Sequence, residues 1–285
     1  MNIIKRKKGK GTYYYLKHSF RKKGKVITKE KYLGLEIPKD IDKIKEEFLQ
    51  EIKKDLNAKL FLIKKNFQEE WKRIPFSAKE KELQEIAIAF TYNTNAIEGS
   101  TITLEETREI IQSNISPNKS LRDVRETEAH SKTFLKMLDS KDYLNKKLLL
   151  SWHREIFNET KQDIAGKYRD YLVRIGSHLA PDWQDIETLM KDFFKYLDGK
   201  NNLNPVEFAA RAHYRFEKIH PFGDGNGRIG RLLMNYLLWK SGYPMIIIEY
   251  KNRKSYYTAF KGDEAKFVNY FLRRYLSVDK KRYLR

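Results

Sequence analysis

His220-Pro221-Phe222-Gly223-Asp224-Gly225-Asn226-Gly227-Arg228, followed by Arg231, puts a base, an oxygen ligand and two cations within twelve residues. Three glycines alternate through the loop, and backbone without Cβ can come close to a bound group. A helical pattern follows at once: Ile229, Leu232, Leu233, Tyr236 and Leu237 recur at the spacing of one buried face, while Arg228, Arg231 and Asn235 fall on another. The first N–H groups of a helix are free and carry a partial positive charge, so this glycine-rich entry predicts an anion site. The two arginines add charge where a polyphosphate tail would lie. Chemistry alone therefore gives a phosphate-binding loop with a histidine.

Working outward, the 285-residue chain is long enough for one large domain with an appendage, or for two domains. Charged residues make up 34% and the mean hydropathy is -0.73, so a soluble protein is expected. No apolar run of about 18 residues is present, which argues against a membrane span. The basic start, Met1 to Lys8, lacks the apolar segment of a secretory signal, and a cytoplasmic location is expected. The absence of cysteine excludes disulfides and thiolate metal sites. There is no P-loop, zincin or hydrolase-elbow motif. The net charge of +20 is unevenly placed. Residues 1–35 hold twelve Lys/Arg against Glu30 alone, and residues 266–285 hold seven against Asp279 alone. Affinity for polyanions is expected at those ends.

Thr12 to Phe20 and Val26 to Leu33 read as two strands joined by a turn at Lys22-Lys23-Gly24-Lys25, with residues 2–7 as a third strand. Alternation places Tyr14, Leu16, His18 and Phe20 on one face and Tyr13, Tyr15 and Lys17 on the other. This small basic sheet, residues 1–38, could bind nucleic acid through residues 1–35 or dock as a structural element. Residues 39–75 read as a linking helix or helical hairpin, and Ser77 to Glu98 as a further helix. More helices are expected near 104–113, 119–138, 144–158 and 184–198. Asn204-Pro205-Val206-Glu207 supplies an N-cap, a proline at the first turn and a glutamate at N3, starting the helix that runs into His220. Pro221 favours an extended residue before it, which turns the imidazole away from that helix.

Every specified position of the stretch 220–231 fits H-x-F-x-[D/E]-G-N-G-R-x-x-R, and the chain thereby resembles the Fic family. The resemblance covers about residues 80–265. It implies a mainly α fold, a Fic-type helical bundle with a β-hairpin flap, occupying residues 76–285 beside the basic β appendage. It also implies transfer of AMP from ATP to a Tyr, Ser or Thr hydroxyl of a target protein, with Mg²⁺. In that reading His220 is the general base. Asp224 is the metal ligand, as suits an ion that bridges a carboxylate and phosphates. Asn226, with the backbone of Gly223, Gly225 and Gly227, cradles the transferred phosphate, while Arg228 and Arg231 neutralise the β and γ phosphates. Phe222 plugs the core. Val173 to Pro181 resembles the flap, which presents the target's backbone at about 172–181 by strand addition.

Thr94-Asn95-Ala96-Ile97-Glu98-Gly99 is similar to the [S/T]-x-x-x-E-[G/N] motif of inhibitory helices, here at about 80–98. A carboxylate presented to Arg231 occupies the place of the γ-phosphate, and Glu98→Gly is then expected to raise self-modification. Two rival readings are de-AMPylation of a modified target using Glu98, and a nucleic-acid-binding regulator acting through the basic hairpin. The intact Gly227 favours AMP transfer over phosphate transfer within the family. His213 reads as a packed core histidine, and His18, His130, His153 and His178 show no metal-ligand spacing. Tyr243, Tyr256 and Tyr257 are candidates either for the base pocket or for the core. A homodimer is the oligomer considered.

Overall fold

The computed structural model describes residues 1–9, 11–22, 25–176, 178–199 and 202–284. The expected turn at Lys23-Gly24 and the flap tip at Ser177 lie outside them. Two compact units divide the chain, Met1–Phe61 and Leu62–Arg285, and the division falls inside one long helix.

In the first unit, β1 (Asn2–Lys8), β2 (Gly11–Lys22) and β3 (Lys25–Gly34) form an antiparallel sheet in that order. Ile3 faces Leu16 and Tyr15 faces Tyr32, with an irregularity between Tyr14 and Tyr15. Leu16 is fully buried, as its place on the apolar face requires. Lys29 and Lys31 reach Glu51 and Glu47 on α1 (Ile41–Arg73), so that face lies against the helix. The opposite face carries Tyr15 and Tyr32 with ring centroids 5.3 Å apart and ring planes tilted at 50°, and the Arg6 guanidinium lies 5.0 Å from the Tyr15 ring.

The second unit is helical: the end of α1, then α2 (Phe76–Ile97), α3 (Leu104–Arg108), α4 (Leu121–Asp139), α5 (Lys146–Phe157), α6 (Ile186–Asp198), α7 (Pro205–Ile219), α8 (Asn226–Lys240), α9 (Arg253–Phe260) and α10 (Glu264–Tyr283). Together with the small sheet this is the mainly α architecture expected. The helix expected over 104–113 is instead α3 followed by a π turn at Glu109–Ser113 that stops on Asn114 in the left-handed region. A full capping box starts α3: the Thr103 hydroxyl accepts from the Glu106 N–H, and the Glu106 carboxylate accepts from the Thr103 N–H.

Helix α8 is the axis of the unit. Packing by α2, α4, α5 and α7 buries it on all sides, and its apolar residues join Phe90, Phe134, Trp152, Phe216 and Phe222 in one core. A helix enclosed in this way must satisfy its polar side chains internally. Asn235 does so by accepting from the Ile246 N–H at 2.8 Å and donating to the Ile246 carbonyl at 3.1 Å. Arg228 and Arg231 are held by carboxylates. A two-residue hairpin, β4 (Arg174–Ile175) and β5 (His178–Leu179), stands at the expected flap position with Ile175 and Leu179 exposed.

Candidate active site

Helix α7 begins as the sequence indicates, with Asn204 Oδ1 accepting from the Val206 N–H and Pro205 in the first turn. It ends on His220, whose φ of 52° and ψ of 59° place it in the left-handed region, not in the extended conformation expected from Pro221. The left-handed turn lets the His220 N–H close the helix on Phe216 O at 3.0 Å. Arg169 fixes the turn from outside: its Nε donates to His220 O and its backbone N–H to Pro221 O, both at 2.9 Å. Such a residue costs about 1–3 kcal/mol and persists only where its surroundings impose it.

The His220 imidazole is half-buried. Its Nδ1 lies 3.4 Å from the Glu217 carbonyl. A carbonyl can only accept, so Nδ1 carries the proton and Nε2 keeps its lone pair. Burial pulls the His220 pKa below the ordinary imidazole value, Glu217 O resists, and the Arg169 charge adds to the drop. The ring is therefore neutral near pH 7, the form a general base needs.

The loop after it is held from within. Asn226 Oδ1 accepts from the Phe222 N–H and its Nδ2 donates to the Phe222 carbonyl, both at 2.8 Å, so this amide fixes the loop shape. Gly225 has φ +79°, and a Cβ there would lie 2.3 Å from the Phe157 ring. His153 braces the loop from α5. Its Nδ1 accepts from the Gly166 N–H, so Nε2 donates to Asp224 O at 3.0 Å, and the ring stacks on Phe222 at 3.9 Å. Burial lowers the His153 pKa to about 4.

Asp224 accepts from Lys161 and from the Gly225 N–H. Burial alone would raise its carboxyl, but the Lys161 hydrogen bond and the Arg228 charge outweigh it and hold the pKa below the ordinary value. Arg228 pairs with Glu126, which is 5% exposed and also accepts from Thr160 at 2.9 Å. These groups, with Arg122, Glu98 and Asn95, line a cavity of about 240 Å³. The second arginine lies deeper. Arg231 is 1% exposed and donates to Glu98 Oε1 at 2.5 Å and to the Thr94 carbonyl at 3.3 Å. Glu98 caps the C-terminus of α2, and a Cβ on Gly227 would lie only 2.1 Å from its Oε1. Glycine at 227 thus makes the room in which this carboxylate sits.

Of the residues expected in the site, Asp224, Arg228 and Glu98 line the cavity, Arg231 lies behind Glu98, Asn226 holds the loop from within, and His220 stands at the start of the loop. Sequence reasoning missed Glu126, Lys161, Arg169 and Glu217. Of these only Glu126 left a trace, the i,i+4 spacing from Arg122 that places the two side chains 3.2 Å apart on α4. Arg169 also donates to Tyr171 O and Pro181 O, tying the base of the hairpin to the loop. Tyr256 is buried, its Oη 2.6 Å from His213 Nε2, and Tyr243 is buried beside Asn204, which assigns both to the core. Tyr257 is exposed enough to face solvent, and its Oη donates to Ile97 O next to Glu98. His213 is a core residue as expected, with burial lowering its pKa to about 3. Glu217 is the converse, a carboxyl raised by burial to about 8 in spite of the nearby Arg231.

A neutral histidine with a free Nε2, a glycine loop opening a buried helix and arginines held by carboxylates are the parts of the site. The sequence profile of the Fic/DOC family matches residues 143–238, which include this loop. The chain belongs to the Fic/DOC family. It is 34% identical over 205 residues to a protein adenylyltransferase Fic of Nematostella vectensis, an alignment covering 68% of this chain and 48% of that protein. It is 36% identical over 198 residues to the corresponding protein of Aedes aegypti, covering 66% of this chain and 40% of the relative. The chain thus spans about half the length of these curated relatives, or less. Among solved structures, Fic-1 of C. elegans superposes with a TM-score of 0.69 at 27% identity, covering 84% of this chain and 73% of that one. A Fic domain containing signaling protein from Bacteroides thetaiotaomicron superposes with a TM-score of 0.67 at 27% identity, covering 79% of this chain and 97% of its own.

Proposed function

We propose that this Fic/DOC protein is a protein adenylyltransferase that moves AMP from ATP to a Tyr, Ser or Thr hydroxyl and is restrained by Glu98. The observation that carries the reading is the His220 imidazole, neutral and free at Nε2, at the entrance to a loop whose two arginines are each held by a carboxylate. A target hydroxyl gives its proton to Nε2 while its oxygen attacks the α-phosphorus. The bond from that phosphorus to the bridging oxygen breaks, and pyrophosphate leaves. Free N–H groups of Asn226 and Gly227 at the start of α8 face the charge that develops on the phosphoryl oxygens. Asn226 contributes by holding the loop through Phe222. Arg228 takes the β-phosphate and Arg231 the γ-phosphate, each in exchange for its carboxylate.

Glu98 is the brake in this account. While its Oε1 sits 2.5 Å from Arg231, the γ-phosphate has no counter-charge and ATP binds in an unproductive pose. Mg²⁺ suits the donors present: Asp224 supplies one carboxylate, and this ion takes most of its remaining ligands from phosphate and water. Bound there, it would offset phosphate charge. The exposed edge of the hairpin at 174–179 pairs with target backbone, which leaves the modified residue's neighbours weakly specified. The test is transfer from ATP labelled at the α or the γ phosphate, using Glu98→Gly. Label in protein from the α position alone supports the reading, and label from the γ position overturns it.

A second activity is favoured in the first unit by the adjoining rings of Tyr15 and Tyr32 with Arg6 beside Tyr15 on the face turned away from α1. Aromatic rings and cations on an open sheet suit single-stranded nucleic acid. A gel shift whose affinity falls steeply with salt supports it, and no shift at low salt overturns it.

A further inference from the structure

A second cavity in the helical unit, about 280 Å³ in volume, is lined by α1, α2, the end of α8 and α10, and it shares no residue with the lining of the anion cavity. Its walls are aromatic. Phe67, Trp71, Trp239 and Tyr283 meet at centroid separations from 5.5 to 6.0 Å, with Trp71 edge-on to Trp239 and Phe67 edge-on to Tyr283. Among these rings stands Asp279, 5% exposed, whose Oδ2 has no hydrogen-bond partner. No Lys or Arg among the described residues forms an ion pair with it. Arg282, one turn on, is committed elsewhere: its Nε donates to Glu70 at 2.9 Å and its Nη1 to Glu82 at 3.2 Å. Three acids and one arginine therefore line the space together with the four rings, and the Lys79 ammonium lies 5.9 Å from the Trp71 ring.

A buried carboxylate without a partner is costly, and proteins retain one where something answers it. A metal ion is a poor answer, since no group of three or more His, Asp or Glu side chains able to hold one occurs among the described residues. An organic ammonium is a good one, because its charge meets both the carboxylate and the rings while its carbon frame fills the apolar remainder. We propose that this cavity binds a small protonated amine, with Asp279 as counter-ion and Trp71, Trp239 and Phe67 as the cage. At about 30 Å³ of liquid volume per water, the space suits a ligand of roughly nine heavy atoms. The proposal is independent of the adenylyl-transfer reading.

The charged and titratable groups around Asp279 are Glu70 on α1, Glu82 on α2, Tyr275, Arg282 and Tyr283 on α10, and Tyr243 on the segment that follows α8. Burial raises the Asp279 carboxyl to about 7, with Arg282 opposing. The free protein's carboxyl is therefore ionised to roughly a tenth at pH 6 and nine-tenths at pH 8, and affinity for a cation should follow.

The test is calorimetric titration of the whole chain with 2-phenylethylamine, which is protonated at both pH values, and with neutral 2-phenylethanol of the same size. Expected are a Kd below about 1 mM for the amine at pH 8, about tenfold weaker binding at pH 6, and at least about tenfold weaker binding of the alcohol. Asp279→Asn should weaken the amine about tenfold and leave the alcohol unchanged. Should that variant not fold, the pH and alcohol comparisons on the native chain decide alone. Equal affinity for amine and alcohol, a pH-independent Kd, or no saturable binding of the amine below about 10 mM overturns the proposal.

Discussion

Replacing Glu98 with alanine should destabilise the protein and make ATP a stronger stabiliser, two effects with one origin. Arg231 is 1% exposed, so loss of Glu98 leaves a buried guanidinium without its charged hydrogen-bond partner, held by the Thr94 carbonyl at 3.3 Å and beside the Tyr256 hydroxyl. Removing one partner of a fully buried pair costs about 3–5 kcal/mol, and an exposed pair is worth about 0–1 kcal/mol. The Glu98 side chain is 30% exposed, so water can enter the gap and a loss of about 2 kcal/mol is the reasonable middle. In a unit of this size that corresponds to a fall of about 4–8 °C in Tm. ATP at a hundredfold its Kd adds about 2.7 kcal/mol to the state that binds it. In the native chain part of that gain is spent displacing Glu98 from Arg231; in the variant it is not. Calorimetric melts of both proteins with and without Mg²⁺ and ATP measure each quantity. Equal melting temperatures without nucleotide, together with equal shifts on adding it, would refute the reasoning.

Glu217 is protonated in the folded state at neutral pH because burial raises it to about 8, so the stability tied to its proton is present below pH 4.5 and lost as pH rises towards 8. Glu217→Gln should remove that loss and raise stability at pH 8 by about 1–3 kcal/mol in urea melts, with no gain at pH 4. Gly225→Ala, which sets a Cβ 2.3 Å from Phe157 at a positive φ, should cost about 1–3 kcal/mol and abolish nucleotide-dependent stabilisation; an unchanged ATP shift contradicts the loop geometry. Arg169→Lys loses the fork that spans His220 O, Tyr171 O and Pro181 O. Modification should then slow by about tenfold or more, while ATP protection in the melt stays the same.

The parts of this site that were legible in the sequence are those in which local chemistry dictates local form. The glycines at 223 and 225 could be tied to a loop, the spacing of Ile229, Leu232 and Tyr236 to α8, and Asn204-Pro205 to the start of α7, because each depends on neighbours within a turn or two. Glu98 was legible only through its likeness to a known motif, since nothing within its own helix shows that Arg231 lies opposite. Lys161 and Arg169 were not legible at all, and Glu126 showed only its spacing from Arg122, not its pairing with Arg228. Their roles arise where α4, the segment after α5 and the hairpin base come together, and pairings 51 to 102 residues apart leave no periodic trace. The conformation of His220 failed for a related reason. The preference that Pro221 imposes is local, and the Arg169 bonds that override it come from far along the chain. Asn226 was read as a phosphate ligand from its type, whereas its amide closes the loop on Phe222.

The central claim is that one guanidinium, Arg231, is shared between Glu98 at rest and a phosphate at work. Intact-mass measurement after incubation with Mg²⁺ and ATP tests it most directly, comparing the native chain with Glu98→Gly, His220→Ala and the double variant. The account predicts little adduct on the native chain, one or more added AMP groups on Glu98→Gly, and a loss of about 10²- to 10⁴-fold when His220 is also removed. Native and Glu98→Gly proteins modified at the same rate, or an adduct that survives the loss of His220, would contradict it.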